Sequence, residues 1–190
     1  MQGAYRPKNG EPRVLPIVQS TTYKYDSSVE MGDLFDLKKS GYFYSRLQNP
    51  TNDTVAAKIT MLEGGVAGML TSSGQAANFY AVFNIAQAGD HIVSSSAIYG
   101  GTYNLFNVTM RKLGIDFTFV NPDATEEEIQ AAFKPNTKAV FGETISNPSL
   151  DILISSDLPK LLTKTAFRSL LTTLLQHRLT AVYLIGALIS

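Results

Sequence analysis

The sequence predicts an α/β fold built around a mostly parallel sheet. Apolar, strand-like runs alternate with helix-like segments between residues 66 and 144, and a Ser-Gly turn joins one such run to a helix. This alternation is typical of βαβ units, which bind ligands at the carboxyl ends of their strands. The apolar fraction of 44% is enough for a packed core. The 190 residues correspond to one domain, or to one domain and part of another.

The first third of the chain predicts an arm followed by two helices. Residues 1–25 have no clear period, and we expect them to form an arm that packs on another element. A cap at Ser27 or Ser28 predicts a helix that ends at Gly41. Pro50 is suited to the first turn of a second helix, with Gly64 as its C′ residue.

The alternating elements follow in order along the rest of the chain. Strand-like runs cover residues 66–70, 92–95, 117–121 and 139–141. Helical patterns cover residues 74–88 and 102–113, and a third helix opens at residues 123–126, where acidic side chains favour the helix N-terminus.

Composition excludes several classes of function. The 16 basic and 16 acidic side chains balance, which argues against a nucleic acid or an anionic membrane as partner. No apolar run approaches the roughly 20 residues that span a bilayer. The polar N-terminus has no signal-peptide core, so we expect a cytoplasmic protein. There is no Cys, and His91 and His177 are far apart, so neither a thiol nucleophile nor a His-based metal site is expected.

An anion site is predicted where Ser72-Ser73-Gly74-Gln75 follows an apolar run and opens a helix. Free backbone N–H groups and the positive end of the helix dipole meet at such a turn, and Gly74 permits close approach of a phosphate. Ser and Gly are also common in turns for geometric reasons alone, so the motif is weak by itself.

Three further segments carry residues suited to a ligand. Tyr99, beside two glycines, could stack on a planar ring, although a packing Tyr at a helix start is the more common case. Tyr44 and Arg46 offer a hydroxyl and a forked donor to phosphate, against the alternative of a solvated surface Arg. Glu143 and Asn147 lie at a strand end, where Asn147 could hold a ring oxygen or a carboxylate or could simply precede a turn at Pro148.

The order and spacing of these motifs together resemble the Cys/Met-metabolism family. These are trans-sulfuration enzymes that use pyridoxal phosphate (PLP) on the aspartate-aminotransferase fold, also called fold type I. The resemblance covers residues 1–153 and is carried by Tyr44-x-Arg46-x-x-Asn49-Pro50-Thr51, Leu62-Glu63-Gly64-Gly65, Ser72-Ser73-Gly74-Gln75-Ala76-Ala77, Tyr99-Gly100-Gly101-Thr102 and Glu143-Thr144-x-x-Asn147-Pro148. Within the family, residues 19–26 and Gln75 look most like the O-acetylhomoserine/O-acetylserine sulfhydrylases.

The resemblance implies a large cofactor domain, an amino-acid substrate and a homo-oligomer. Ser73, Gly74 and Gln75 would hold the cofactor phosphate, the last two through backbone N–H groups, and Tyr99 would stack on the pyridine ring. The remaining implied site residues are Tyr44 and Arg46, which reach the phosphate of a neighbouring subunit, Asn147 at the cofactor, and Glu143 in the wall of the cofactor and substrate site. The implied reaction adds sulfide or a thiol to an acetylated homoserine.

Three parts of the family machinery are not found in the sequence. These are the Asp that pairs with the pyridinium nitrogen, the Schiff-base Lys in an S-x-T-K-like motif, and a late Arg for the substrate carboxylate. Lys164 is out of place in this order and is interpreted as a surface residue. The expectation is therefore a truncated domain that is inactive alone, with an exposed sheet edge, and the start at Met1 also looks late.

Residues 154–190 are expected to be an out-of-frame tail. With permitted codons and one added G, residues 166–178 read one base earlier give G-V-P-L-I-V-D-N-T-F-A-T-P, which resembles the missing family strand with its Asp. A single base lost near the Leu153 codon would explain this. As they stand, residues 156–177 contain few helix breakers and permit a helix.

Three alternatives remain open. The chain could be a non-catalytic phosphate-binding or subunit-interaction fragment, since Tyr44 and Arg46 would serve a partner's site. It could be a relative of the cystathionine γ-synthases or γ-lyases, because residues that discriminate these lie beyond 153. A Rossmann-type dinucleotide binder is the third, although no G-x-G-x-x-G follows the first strand.

Overall fold

A computed structural model describes residues 5–63, 65–150, 168–175 and 179–185. The chain divides into two compact units, residues 1–70 and residues 71–190. The sequence also predicts a division by role, which remains a prediction: residues 1–50 form an N-terminal arm, helix and subunit-contact loop, residues 51–153 the N-terminal part of the cofactor domain, and residues 154–190 the out-of-frame tail. Gly64 and Lys164 lie outside the described residues.

The first unit contains the two predicted helices, α1 (Ser28–Phe35) and α2 (Pro50–Glu63). Ser27 caps α1, its hydroxyl accepting from the N–H of Glu30 at 3.2 Å. This helix ends before the predicted Gly41 because Leu37 has a φ of +58°, which a right-handed helix does not allow. The second helix begins at Pro50 as predicted.

The N-terminal arm is tied to the start of α2. The N–H of Val18 donates to Thr51 Oγ1 at 2.9 Å, and Asn49 Nδ2 donates to the carbonyl of Val18 at 3.1 Å. Further along, Thr22 forms an antiparallel bridge with Tyr44. The arm therefore fixes the loop that carries two of the predicted site residues.

The second unit is built on a sheet with strand order β2-β1-β3-β4-β5. The strands are β1 (His91–Ser95), β2 (Asp116–Val120), β3 (Thr137–Glu143), β4 (Arg168–Leu175) and β5 (Leu179–Ile185). The first four pair in parallel, and β5 is antiparallel to β4. The predicted mostly parallel sheet is confirmed, and it brings the carboxyl ends of β1 and β3 to one edge.

The helices of this unit follow the predicted order; the first ends early, at Phe83 instead of residue 88, while the helical segment from Gly100 matches the pattern over residues 102–113. They are α3 (Gly74–Phe83), α4 (Gly100–Asn104) and α5 (Glu126–Ala131), with a π-helical stretch (Leu105–Met110) continuing from α4. The capping box between Thr125 and Glu128 satisfies two backbone donors at the start of α5.

The core of the second unit lies between the helices and the sheet. Phe106 is fully buried, with its ring stacked on Phe117 at 4.7 Å and edge-on to Phe141 at 4.7 Å. Val82 of α3 and Ile92 of β1 are also fully buried. This packing positions the start of α3 and the carboxyl ends of β1 and β3, which carry the candidate site.

Two expectations for secondary structure were wrong. Residues 66–70 form no strand; Val66 and Met69 are exposed, and no strand among the described residues pairs with the segment. The second is the helix that the sequence permits over residues 156–177. Residues 168–175, the described part of that range, form β4 instead, and β4 pairs with β3 along the sheet edge that was expected to be exposed. A Leu- and Thr-rich segment suits a strand, and the open edge of β3 offers unpaired backbone groups.

None of the described helices is long and apolar enough to cross a membrane.

Candidate functional site

The predicted phosphate cradle lies at the N-terminus of α3. Ser73 is the N-cap, with extended backbone, and its hydroxyl accepts from the N–H of Ala76 at 3.1 Å. Its carbonyl accepts from the N–H of Ala77 at 3.0 Å. Helix geometry gives the N–H groups of Gly74 and Gln75 in this first turn no intrahelical acceptor. They are therefore positioned to bind an anion, and the Ser73 hydroxyl, which accepts from Ala76 as a cap, still has its O–H to donate.

The turn after β1 carries Tyr99, whose ring is 46% exposed. A Cβ added to Gly101 would lie 2.5 Å from Tyr99 Cε1 and 3.1 Å from Gln75 Nε2. Because this glycine has no side chain, the ring and the Gln75 amide can both lie close to its backbone. The structure thus brings together Tyr99 and Gln75, which are 24 positions apart in the sequence.

Glu143, the last residue of β3, is 2% exposed, and its carboxylate supports the turn that carries Tyr99. Both of its carboxylate oxygens accept from the N–H of Tyr99, each at 3.1 Å. Burial raises the pKa of Glu143, while bonds from the N–H groups of Tyr99 and Asn147 act in the opposite direction. The resemblance implies that this carboxylate belongs to the wall of the site, which stays a prediction; its contacts show that it also supports two backbone segments.

Asn147 is exposed and follows β3 by four residues. Its N–H bonds the Glu143 carboxylate, and its peptide bond to Pro148 is cis. The neighbouring Ser146 and Ser149 hydroxyls are 2.7 Å apart. The Asn147 side chain is therefore free of the anchoring role, which its backbone performs, and remains accessible to a ligand.

The first unit holds the other predicted pair, Tyr44 and Arg46. The Arg46 guanidinium lies 5.0 Å from the centre of the Tyr44 ring, within the range of a cation–π contact. Arg46 is exposed and Tyr44 is half-buried. The intervening Ser45 is anchored, because its N–H donates to the carbonyl of Thr21 at 2.9 Å and its hydroxyl bonds Ser20 and Asn49. This rigid loop presents a cation beside a phenol.

Sequence reasoning missed two buried polar residues beneath the cradle, Asn78 and Thr102. Asn78 Nδ2 donates to Thr102 Oγ1 at 3.0 Å. Thr102 was quoted within a motif without a role, and Asn78 lies one helical turn after Gly74. An Asn in the buried face of an otherwise apolar helix is the signal that would have identified it.

The buried histidine of this unit lies at the amino ends of the strands, away from the candidate site. His91 begins β1, and its ring nitrogens lie 2.8 Å from the hydroxyls of Thr137 and Thr118. Burial lowers its pKa, with Lys134 adding to the effect. It belongs to the packing at the amino ends of the strands and not to the candidate site.

These residues fit a phosphate bearing an aromatic ring. Two backbone donors lie at a helix N-terminus, an exposed tyrosine ring lies near the side chain of Gln75, and an exposed amide follows a strand end. The donors suit a phosphate, and the tyrosine face suits a flat heterocycle.

Comparisons with known proteins agree with this chemistry. The family model for Cys/Met metabolism PLP-dependent enzymes matches residues 2–175. An O-acetyl-L-homoserine sulfhydrylase of Corynebacterium glutamicum is 52% identical over 142 residues, which make up 74% of this chain and 32% of that protein. A homocysteine/cysteine synthase of Saccharomyces cerevisiae is 44% identical over 140 residues, covering 74% of this chain and 31% of that protein.

A solved structure gives the same result. A crystal structure assigned as an O-acetylhomoserine (thiol)-lyase of Campylobacter jejuni superposes with a TM-score of 0.83 at 34% identity. The match covers 89% of this chain and 41% of that chain, which carries a pyridoxyl-lysine monophosphate group. The present chain spans about a third of the length of the curated relatives it matches.

Proposed function

Because this chain belongs to the Cys/Met metabolism PLP-dependent enzyme family, we propose that it forms the amino-terminal part of a trans-sulfuration enzyme. The proposed reaction adds sulfide or a thiol to O-acetylhomoserine and yields homocysteine or a close relative. The names of the sulfhydrylase and the homocysteine/cysteine synthase among its relatives support this substrate class. The fold, a truncated part of a fold type I domain with a mostly parallel sheet, is the same as that of the lyase it superposes on.

One observation carries the proposal: the side-chain amide of Gln75, from the first turn of α3, and the exposed Tyr99 ring both lie against Gly101. In this proposal the N–H groups of Gly74 and Gln75 and the hydroxyl of Ser73 bind the cofactor phosphate, and the same hydroxyl caps the turn. Tyr99 stacks on the pyridine ring. PLP, when bound, supplies an electron sink for the substrate carbanion.

The remaining residues orient rather than react. Glu143 holds the Tyr99 backbone and the Asn147 backbone through its carboxylate. The Asn147 amide contacts the ring oxygen or the substrate carboxylate. Tyr44 and Arg46 bind the cofactor phosphate of a neighbouring subunit in a homo-oligomer, which their exposed and rigid loop supports.

The 190-residue chain alone is proposed to be inactive. Its sequence has no S-x-T-K-like motif, and without the Schiff-base Lys no residue of the chain moves the substrate protons. The purified chain with O-acetylhomoserine, sulfide and PLP should form no homocysteine above a protein-free control. Turnover by this chain would contradict the proposed division of roles.

Cofactor binding is the direct test of the site. The probe is pyridoxamine 5′-phosphate, whose amine cannot react with surface lysines, and the readout is titration calorimetry on the full chain. We expect saturable one-to-one binding that inorganic phosphate weakens and that Tyr99→Leu weakens further. Tyr103→Leu is the matched control, since Tyr103 lies on α4 and packs on Phe119. Equal binding by both variants, or none by the wild-type chain, would refute the site.

The tail and the location belong to the same proposal. We propose that residues 154–190 are translated out of frame, because a one-base shift restores a family-like strand over residues 166–178. Sequencing the gene across the Leu153 and Ile154 codons tests this, since an intact frame would refute it. We propose that the protein lies in the cytoplasm, where a sulfhydrylase of amino-acid biosynthesis would act, and cell fractionation tests this.

One observation also favours a second candidate function, a non-catalytic fragment. The exposed Arg46 beside Tyr44 also suits a fragment that only binds phosphate or a partner subunit. Assaying the product of a frame-corrected gene separates the readings, because only an enzyme would convert O-acetylhomoserine and sulfide. Production of cystathionine from cysteine instead of homocysteine from sulfide would favour a γ-synthase relative.

A further inference from the structure

Two polar side chains are buried beneath the phosphate cradle, where the surrounding packing is apolar. Asn78 on α3 is 3% exposed and Thr102 on α4 is 1% exposed. A fully buried apolar residue follows each of them by four positions, Val82 after Asn78 and Phe106 after Thr102. Burying an amide and a hydroxyl is costly unless they bond one another or something else. Their placement therefore needs a reason beyond packing.

These two residues form a directed hydrogen-bond relay to the cradle. Asn78 Nδ2 donates to Thr102 Oγ1 at 3.0 Å, and the Thr102 hydroxyl donates to Gln75 Oε1 at 3.3 Å. Within the described residues, Asn78 Oδ1 is a buried atom with no hydrogen-bond partner. The amide is thus retained in the core although only one of its ends is satisfied.

We propose that Asn78 and Thr102 are positioning residues of the cofactor site. Their relay ties Gln75, in the first turn of α3, to the turn that carries Tyr99, and so fixes the phosphate donors relative to the stacking ring. The inference rests on the proposed cofactor site and adds two residues that touch no ligand.

The geometry explains how the relay acts. Because Gln75 Oε1 accepts from Thr102, the Gln75 amide is held with its Nε2 beside Gly101, against which the Tyr99 ring also lies. Without the Thr102 hydroxyl, the Gln75 side chain loses its anchor, and α4 loses its polar link to α3. Both ligand-binding elements then move independently, and a ligand must order them when it binds.

The test compares hydroxyl deletions at two equally buried threonines. Thr102→Val removes the relay, and Thr102→Ser restores the hydroxyl. Thr137→Val is the matched control, because Thr137 is also 1% exposed but bonds His91 at the opposite edge of the sheet. Asn78→Leu removes the other member at similar volume. Each full-length variant is titrated with pyridoxamine 5′-phosphate in a calorimeter.

The expected result separates positioning from stability. Losing one hydrogen bond should weaken pyridoxamine 5′-phosphate binding by about fivefold to tenfold in Thr102→Val and Asn78→Leu. Thr102→Ser and Thr137→Val should stay within about twofold of wild type by the same reasoning, although Thr137→Val also loses stability. Equal affinities for Thr102→Val and Thr137→Val would overturn the proposal.

A ligand-free readout keeps this inference distinct from the cofactor site itself. The N–H of Tyr103 bonds the carbonyl of Tyr99 at 2.9 Å, so its hydrogen exchange reports on the order of the turn. Exchange should accelerate in Thr102→Val and not in Thr137→Val or Thr102→Ser. If the wild-type chain binds no pyridoxamine 5′-phosphate, the proposed function fails, and the exchange rates still decide the relay. Unchanged exchange in Thr102→Val would overturn it.

Discussion

The two adjacent glycines before Thr102 should respond oppositely to a single added methyl group. A Cβ at Gly101 would lie 2.5 Å from Tyr99 Cε1, while a Cβ at Gly100 would meet nothing within 4 Å. Both glycines belong to α4, so Gly100→Ala is a control with the same chemistry in the same element. Only Gly101→Ala should disturb the ring that we assign to the cofactor.

The distances give the magnitude. Ordinary van der Waals contacts of a Cβ begin at 3.4 Å, so the Gly101→Ala methyl lies almost 1 Å too close to the Tyr99 ring. If the ring stays, overpacking costs about 1–3 kcal/mol of stability. If the ring swings away, stability is kept but a stacking interaction of about 0.5–1.5 kcal/mol is lost, which is roughly 2-fold to 13-fold in affinity. Gly100→Ala should instead gain up to about 1 kcal/mol from reduced backbone entropy.

Two measurements on each variant distinguish these cases. Urea unfolding gives the stability, and calorimetry with pyridoxamine 5′-phosphate gives the affinity. The reasoning predicts that Gly101→Ala loses either stability or affinity, while Gly100→Ala loses neither. A Gly101→Ala chain with wild-type stability and wild-type affinity would refute the placement of the Tyr99 ring.

Three other substitutions test the supports of the site and of the sheet. Ser73→Ala removes the cap that accepts from Ala76 and should lower the free energy of unfolding by about 1 kcal/mol in urea. Burial raises the pKa of Glu143, so its contribution to the free energy of unfolding is present below its unfolded-state pKa and is lost as pH rises through the folded-state pKa. Glu143→Gln should abolish this decrease of stability with rising pH. It should also weaken ligand binding, because Tyr99 loses a charged acceptor for its N–H. The pKa of His91 is lowered, so its effect on stability runs the other way with pH. Its contribution is present above the ordinary pKa of 6.5 and is lost as pH falls through the folded-state pKa. His91→Gln should therefore reduce the loss of stability at low pH, measured by unfolding at a series of pH values.

Contrary outcomes are as specific. An unchanged unfolding midpoint in Ser73→Ala would mean that the first turn of α3 does not depend on its cap. A fall in stability with rising pH that persists in Glu143→Gln would assign that titration to another group. Acid sensitivity that is unaltered in His91→Gln would remove this ring from the pH response.

Local signals predicted the elements that carry the cradle. Pro50 opens α2 and Gly74 opens α3 where the sequence places these helix starts, because residues at a helix start act through the backbone of their immediate neighbours. The alternation of strand and helix patterns also predicted the parallel sheet. Residues 66–70 were misassigned, because a short apolar run has no strand character without a neighbouring strand to pair with.

Tertiary contacts account for the rest of the site. Nothing near Glu143 in the sequence indicates that its carboxylate bonds the N–H of Tyr99, 44 positions away. The link from Asn78 to Thr102 spans 24 positions and depends on how α3 packs beside α4. The pairing of β4 with β3 was also missed, because an open strand edge can order a Leu- and Thr-rich segment for which the sequence pattern permitted a helix.

The most direct test of the cofactor site is amide chemical-shift mapping of the 190-residue chain during titration with pyridoxamine 5′-phosphate. The account predicts saturable shifts that are largest at the N–H groups of Gly74 and Gln75, accompanied by changes at Tyr99. Shifts that are absent, or that centre on the opposite sheet edge at His91, would contradict it.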